Sequence, residues 1–217
     1  HALTDPLVGQ AALVSSFGAE SVVLLHMLSV IDRTTPVIFV DTKMLFRETL
    51  DYQLEVAWKL GLTEVHRVRP DRADLFAGDP DGILHQFDPD ACCALRKVRP
   101  LARALPGYDA LITGRKRSHG GDRADLPVVE FDGDQLRFNP LARWSQADVA
   151  AFLDAEGLPR HPLVAQGFPS IGCWPCTAPV NDREDPRAGR WAGLDKTECG
   201  IHDRERLERA EGSRRLL

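Results

Sequence analysis

Ala11-Ala12-Leu13-Val14-Ser15-Ser16-Phe17-Gly18-Ala19-Glu20-Ser21-Val22-Val23-Leu24-Leu25 (residues 11–25) joins two apolar runs through a small polar turn. Ala11–Ser15 has the length of a buried strand, and Glu20–Ile31 reads as a helix apolar on most sides. A turn of serines and a glycine between strand and helix can aim backbone N–H groups and hydroxyls at a phosphate, and the helix dipole there favours an anion. No G-K-[ST] follows, so the turn is not a Walker loop. From these residues alone the alternative is a tight strand–helix turn with a serine as N-cap.

Outward from this unit the alternation continues. Val37–Val40 reads as a second strand and Phe46–Leu60 as a helix, with Phe46, Leu50, Leu54 and Ala57 at helical spacing and Gly61 at the expected C-cap. Glu64–Val68 is a third strand. Ala91–Ala104 is a helix with Asp90 as N-cap and a kink or break at Pro100, and Ala110–Thr113 is a fourth strand. Strands alternating with helices predict an α/β fold, a parallel sheet flanked by helices on both faces. After Gly114, Val128–Phe131 and Leu136–Phe138 flank Asp132-Gly133-Asp134 as a hairpin. Ser145-Gln146-Ala147-Asp148 is a capping-box start to a helix ending near Glu156, before Gly157. From Pro159 onward periodicity is weak. The expected organisation is one domain over residues 1–180 with a C-terminal tail over 181–217.

The 217 residues are 43% hydrophobic, enough for a substantial core, which excludes a disordered tail or a coiled coil. With 32 acidic against 27 basic residues the net charge is −5, so no overall field attracts nucleic acid or an anionic membrane. An anionic ligand must be held by local cations. The longest strongly apolar stretch, Val22 to Leu28, is interrupted by His26 and falls far short of the ~20 residues that span a bilayer. Nothing at the start reads as a signal peptide, and a cytoplasmic location is expected.

Five cysteines occur as adjacent Cys92 and Cys93, as Cys173 and Cys176 in a C-x-x-C, and as Cys199 alone. An odd count in a chain with a large core and no export signal points to metal binding or thiol chemistry rather than a disulfide framework. The first four supply soft thiolate ligands for zinc or an iron–sulfur cluster, though ordinary buried cysteines would share the spacing. In a helix, Lys97 lies on the face of Cys93, where a cation could link a metal site to an anionic substrate; a solvated helix lysine is the plainer reading. Arg115-Lys116-Arg117, with Arg123 nearby, follows the fourth strand, where open α/β sheets bind ligands. Arg187-Ala188-Gly189-Arg190 is a second basic pair, and arginine forks match sulfate and phosphate oxygens. Either run alone would also serve as solvated surface. Cys199 sits in Glu198-Cys199-Gly200-Ile201-His202 and could be a nucleophile if positive charge, such as that of His202, lowers its pKa, or a bystander if both are merely exposed.

Taken in order, SSFGAES (15–21), VDTKMLFRETLDY (40–52), CCALRKVRPL (92–101), ITGRKR (112–117), LPVVE (126–130), NPLARWSQADV (139–149), SIGCWPCT (170–177), RAGRW (187–191) and ECGIH (198–202) resemble the thioredoxin-dependent adenylyl-sulfate reductases, close relatives of the phosphoadenylyl-sulfate reductases. The resemblance covers essentially the whole chain. It implies an adenine nucleotide alpha hydrolase-like fold with a modified phosphate loop. It also implies one four-iron, four-sulfur cluster per chain on Cys92, Cys93, Cys173 and Cys176, a set that goes with adenylyl sulfate as substrate. Carried over by motif, Ser15, Ser16 and Gly18 lie beside the nucleotide, Gly114 and Arg115 line the pocket, and Lys97, Arg187 and Arg190 hold sulfate and phosphate oxygens. Cys199 is the nucleophile, and thioredoxin or glutaredoxin is the reductant. A homo-oligomer is implied on the same ground. Lys43 departs from the family's usual Asp-Thr-Gly and would alter the turn or add a cation near the adenosine. The competing readings are a phosphoadenylyl-sulfate or dual-specificity reductase, a non-catalytic iron–sulfur redox sensor, for which Cys199 would be superfluous, and an adenylating ATP pyrophosphatase, from whose usual loop SSFGAES departs.

Overall fold

A computed structural model of the chain describes residues 3–133, 135–181, 184–203 and 205–207. Five parallel strands and one antiparallel edge strand form a sheet in the order β3-β2-β1-β4-β6-β5. The strands are β1 (Ala11–Ser15), β2 (Val37–Val40), β3 (Val65–Val68), β4 (Ala110–Thr113), β5 (Val129–Asp132) and β6 (Gln135–Phe138). The register pairs Leu13 with Val37 and with Ile112, and β6 runs parallel to β4 with Ala110 opposite Leu136. Each central strand is buried on both faces, so alternate residues feed two cores. Leu13, Val37, Phe39 and Ile112 pack with α1 (Ser21–Ile31), α2 (Arg47–Leu60) and α7 (Gln146–Ala155). On the other face Ala12, Ile38, Val40 and Leu111 meet Val98, Leu101 and Ala102, and Leu207 closes the same cluster. Full burial of one such aliphatic side chain stabilises the fold by roughly 1.5–3 kcal/mol.

The alternating strands and helices, the hairpin and the capping box match the sequence expectation. Ser145 Oγ accepts from Asp148 N at 3.1 Å while Asp148 Oδ2 accepts from Ser145 N at 2.8 Å. Glu20 and Phe46 prove to be the N-caps of α1 and α2, one residue outside each helix. The Ala91–Ala104 helix needs correction. It is built from α5 (Pro89–Cys93), a π-helical turn over Ala94–Val98, and α6 (Arg99–Ala104). Its N-cap is Asp88, whose side chain accepts from Ala91 N at 2.8 Å, and Asp90 lies inside the first turn. Pro100 does not end the helix. The widened turn already bonds Arg99 N–H to the Ala94 carbonyl, five residues back, so the missing proline N–H falls where the regular ladder is relaxed. Two short helices, α3 (Arg72–Gly78) and α4 (Leu84–Phe87), were not expected. Asp134 of the hairpin turn and the tail beyond residue 207 lie outside the described residues.

The chain runs outward from β1 through β2 to β3, then crosses back to place β4 on the other side of β1. The carboxyl ends of β1 and β4 therefore frame the topological switch point, where open α/β sheets bind ligands.

Candidate active site

A cleft opens at this switch point. It is lined by Ser15, Ser16 and Gly18 after β1, by Gly114 and Arg115 after β4, by Lys97 of the π turn, and by Arg187, Arg190 and Cys199 of the tail. The nine positions carried over by motif, apart from the four cluster cysteines, thus face one space, whereas Arg117 of the basic run does not line it. In the turn after β1, Ser15 Oγ accepts from Phe17 N at 3.2 Å, and Ser16 and Ser21 Oγ accept from Gly18 N at 3.3 and 3.0 Å. Phe17 takes a left-handed φ of 49° and buries its ring edge-on against Phe39, which pins the turn to the core. Glu20 offers no side-chain cap to α1; the N–H groups of Ser21 and Val23 donate instead to the Gly18 and Glu20 carbonyls at 3.2 and 3.3 Å.

The cations are arranged in two sets. Arg115 pairs with Glu130, which also accepts from Asn139 Nδ2, and Lys116, fully buried, pairs with Glu20. These guanidinium and ammonium groups are fixed by carboxylates. Glu20, Lys116, His119 and Arg123 all line the cleft; Lys116 and Arg123 stood in basic stretches of the sequence, but nothing marked Lys116 as buried. The second set surrounds Cys199. Lys97 is half-buried; desolvation opposes its charge, but the neighbouring sulfurs of Cys173, Cys199 and Cys93 favour it and raise its pKa above the usual lysine value. Arg190 stacks over Trp191 at 4.5 Å, and the Arg190 Nε and Trp191 Nε1 hydrogens are buried with no partner in the described protein. Both flank the cleft, and buried donors of this kind call for an acceptor that the chain itself does not supply.

Cys199 stands between Glu198, which binds Arg123 at 2.6 Å and Arg187 at 3.4 Å, and His202. His202 is half-buried; desolvation, then the charges of Arg115, Arg123 and Arg137, push its pKa well below the usual histidine range and keep the ring neutral. It therefore lends no positive charge to the thiol, contrary to the sequence expectation; Lys97 and Arg187 are cations electrostatically coupled to Cys199. Lys43 is exposed, takes a left-handed φ of 63° and is absent from the cleft lining, so it adds no cation beside the nucleotide loop.

The other four cysteines lie behind the cleft wall. Cys92 and Cys173 pack with Met44, an antiparallel bridge pairs Cys173 with Leu45, and Thr42 Oγ1 lies 3.2 Å from Cys173 Sγ. Burial pushes the thiols up, to about 11 for Cys92 and about 12 for Cys93, and in each case a neighbouring thiolate adds to the rise: Cys173 and Cys176 act on Cys92, and Cys173 on Cys93 and Cys176. Among the described residues no three His, Cys, Asp or Glu side chains are arranged to hold a single metal ion. A polynuclear cluster spreads its ligands over separate irons and asks for no such tight set. Four thiols grouped about Cys173, two of them in an apolar cluster, supply the soft donors such a cluster takes.

The phosphoadenosine phosphosulfate reductase domain matches residues 10–179. The chain is 53% identical over 194 residues to an adenosine 5'-phosphosulfate reductase of Chelativorans sp. (strain BNC1), covering 89% of this chain and 79% of that protein. It is 42% identical over 198 residues to a phosphoadenosine 5'-phosphosulfate reductase of Gloeobacter violaceus, covering 88% and 81%. The crystal structure of phosphoadenylyl-sulfate reductase from Candida auris, a phosphate complex, superposes with a TM-score of 0.67 at 29% identity over 78% of this chain and 83% of that one. A modified phosphate loop on a parallel sheet, a cationic cleft beyond it and this level of identity agree: the chain belongs to the phosphoadenosine phosphosulfate reductase family, among relatives that include adenosine 5'-phosphosulfate reductases.

Proposed function

We propose that the protein is an adenylyl-sulfate reductase that converts adenylyl sulfate to sulfite and AMP. The observation that carries this reading is that a thiol, Cys199, shares one cleft with the nucleotide loop and the cations Lys97, Arg187 and Arg190. The Cys199 thiolate attacks the sulfur of adenylyl sulfate; an S–S bond forms, the S–O bond to the phosphate breaks, and AMP leaves with the electron pair. A thiolate of reduced thioredoxin, or glutaredoxin, then attacks the Cys199 sulfur and expels sulfite, and its second thiol resolves the mixed disulfide. Lys97, Arg187 and Arg190 stabilise charge on the sulfuryl oxygens and on the departing phosphate, the electrostatic preorganisation that usually supplies the largest catalytic contribution. Ser15, Ser16 and Gly18 orient the nucleotide, with Gly114 and Arg115 opposite.

Cys92, Cys93, Cys173 and Cys176 would hold one four-iron, four-sulfur cluster per chain. Bound by these cysteines, it would supply a fixed charge to the local field that Lys97 shares, and no redox step of the scheme would need it. The tail, 181–217, acts as the moving part against a nucleotide-binding unit over 1–180: it covers the cleft for the first step and withdraws for the reductant. A cytoplasmic homo-oligomer accords with the resemblance. No described helix is long and apolar enough to cross a membrane.

The similarity to a phosphoadenosine 5'-phosphosulfate reductase at 42% identity favours one second reading, acceptance of the 3'-phosphorylated substrate. Sulfite release measured side by side from the two nucleotides, with thioredoxin and anaerobically purified protein, decides between them. A strong preference for adenylyl sulfate is expected. Equal or reversed preference favours the second reading, and no sulfite from either overturns both.

A further inference from the structure

The loop that carries Cys199 is tied at both ends to one carboxylate outside the cleft. Asp90 Oδ1 accepts from Lys196 Nζ at 2.7 Å and from Arg206 Nη1 at 2.7 Å. These two residues stand three before and seven after Cys199, and Asp90 sits on α5. The Arg206 arm also lies directly on the residue after the thiol. Gly200 takes a φ of 74°, and a Cβ added there would meet Arg206 Cδ at 2.6 Å. The Lys196 ammonium lies 5.6 Å from the Trp191 ring, so the other end rests on the cleft wall.

On its inner side the loop is held differently. Glu198 binds Arg123 and Arg187, and Arg187 also donates to the Thr197 carbonyl at 2.8 Å. Both arginines line the cleft, whereas Asp90 does not. An incoming anionic nucleotide competes with Glu198 for these two guanidiniums, so the inner ties weaken just when the thiol must be in place. The outer ties are untouched by that competition. The Asp90 carboxylate is 57% exposed and the Arg206 side chain 39%, so the Arg206 tie is solvent-screened and weak enough to open, whereas the Lys196 side chain is 6% exposed and anchors the other end more firmly.

We propose that Asp90 is a positioning residue: by clasping Lys196 and Arg206 it keeps the Cys199 loop over the cleft while substrate displaces Glu198, and its release exposes the thiol to the reductant. The proposal rests on Cys199 being the nucleophile, and the test separates the two. Asp90→Asn keeps the size and removes the charge, and Arg206→Met removes one tie from the tail side, away from the cysteines of α5. In the anaerobically purified full chain, alkylation of Cys199 by iodoacetamide, read by peptide mass spectrometry, should be roughly tenfold faster in Asp90→Asn, two pairs of modest strength being lost. The kcat/KM for reduced thioredoxin should rise by a similar factor while AMP affinity is unchanged, a gain that a merely damaged fold would not produce. Asp90→Glu should restore slow alkylation, and Arg206→Met should reproduce part of the effect even if Asp90→Asn folds poorly. Unchanged alkylation and thioredoxin kinetics in Asp90→Asn and Arg206→Met overturn the clasp. Wild-type protein that never forms S-sulfocysteine at Cys199 overturns the nucleophile reading instead, and the alkylation rates still decide the clasp.

Discussion

At the residue scale, Lys97 carries the largest demand, because it is the half-buried cation coupled to Cys199, Cys93 and Cys173. Lys97→Ala is expected to lower kcat by roughly a hundredfold with the fold retained, comparable to removing one preorganised donor from a transition-state site. Steady-state kinetics alongside circular dichroism check this, and unchanged kcat removes its role. Lys43 shows why a family that usually places glycine after Asp-Thr does so: the backbone there is left-handed at φ 63°, a conformation that costs a side-chain-bearing residue about 1 kcal/mol. Lys43→Gly is expected to raise the urea unfolding midpoint slightly and to leave substrate preference alone. Of the two effects the sequence allowed for this departure, an altered turn and an added cation, the left-handed backbone bears on the first, and the side chain's absence from the cleft lining disfavours the second. The same limit applies to His202: its proximity to Cys199 is local and legible, whereas its neutrality comes first from desolvation and then from Arg115, Arg123 and Arg137, which only the fold supplies.

At the element scale, strong local signals were readable. Val37–Val40 and Ala110–Thr113 are continuous apolar strands, Gly61 caps α2 in the left-handed region at φ 65°, and Ser145 begins a capping box. Ser145→Ala is expected to lower stability by about 1 kcal/mol through loss of the N-cap bond. The π turn at Ala94–Val98 was not readable, because it answers to what Cys93, Arg96 and Lys97 must reach and not to local preference. Arg96 is buried, binds Asp79 at 2.6 Å and donates to the Thr42 carbonyl, so tertiary contacts set that turn. One element contact also carries a pH dependence. His161 Nδ1 accepts from Leu163 N at 3.2 Å, so the neutral ring keeps its proton on Nε2, which faces Thr49 Oγ1 at 3.0 Å. Burial lowers its pKa to about 4, despite Glu48, from an unfolded value of about 6.5. A depressed histidine favours the neutral fold, so the unfolded chain takes up the proton first as pH falls. Its stabilising contribution is present above about pH 6.5 and is lost between there and about pH 4, at most roughly 3 kcal/mol. His161→Gln is expected to flatten the fall in urea midpoint across that window, and an identical fall in both proteins contradicts the assignment.

At the scale of the whole molecule, the topological reversal at β1 and β4 creates the cleft, and chain segments far apart in sequence fill its walls. The alternation of elements made the sheet predictable, and the succession of motifs pointed to the site, but the sequence could not show that Arg187, Arg190 and Cys199 wall the same cleft. That placement depends on Leu207 entering the apolar cluster beneath β1 and β2 and on the ties from Glu198, Lys196 and Arg206. The cysteine group behind Lys97 carries a separate expectation: anaerobically purified protein should be brown, with about four irons and four acid-labile sulfides per chain. Stoichiometric zinc without sulfide would rule the cluster out. The most direct measurement is a mass spectrum of protein incubated with adenylyl sulfate in the absence of reductant. The account predicts one added sulfo group on the peptide bearing Cys199, discharged as sulfite by reduced thioredoxin and absent from Cys199→Ser, which still binds AMP. An unmodified Cys199 together with full thioredoxin-dependent turnover, or normal turnover by Cys199→Ser, would contradict it.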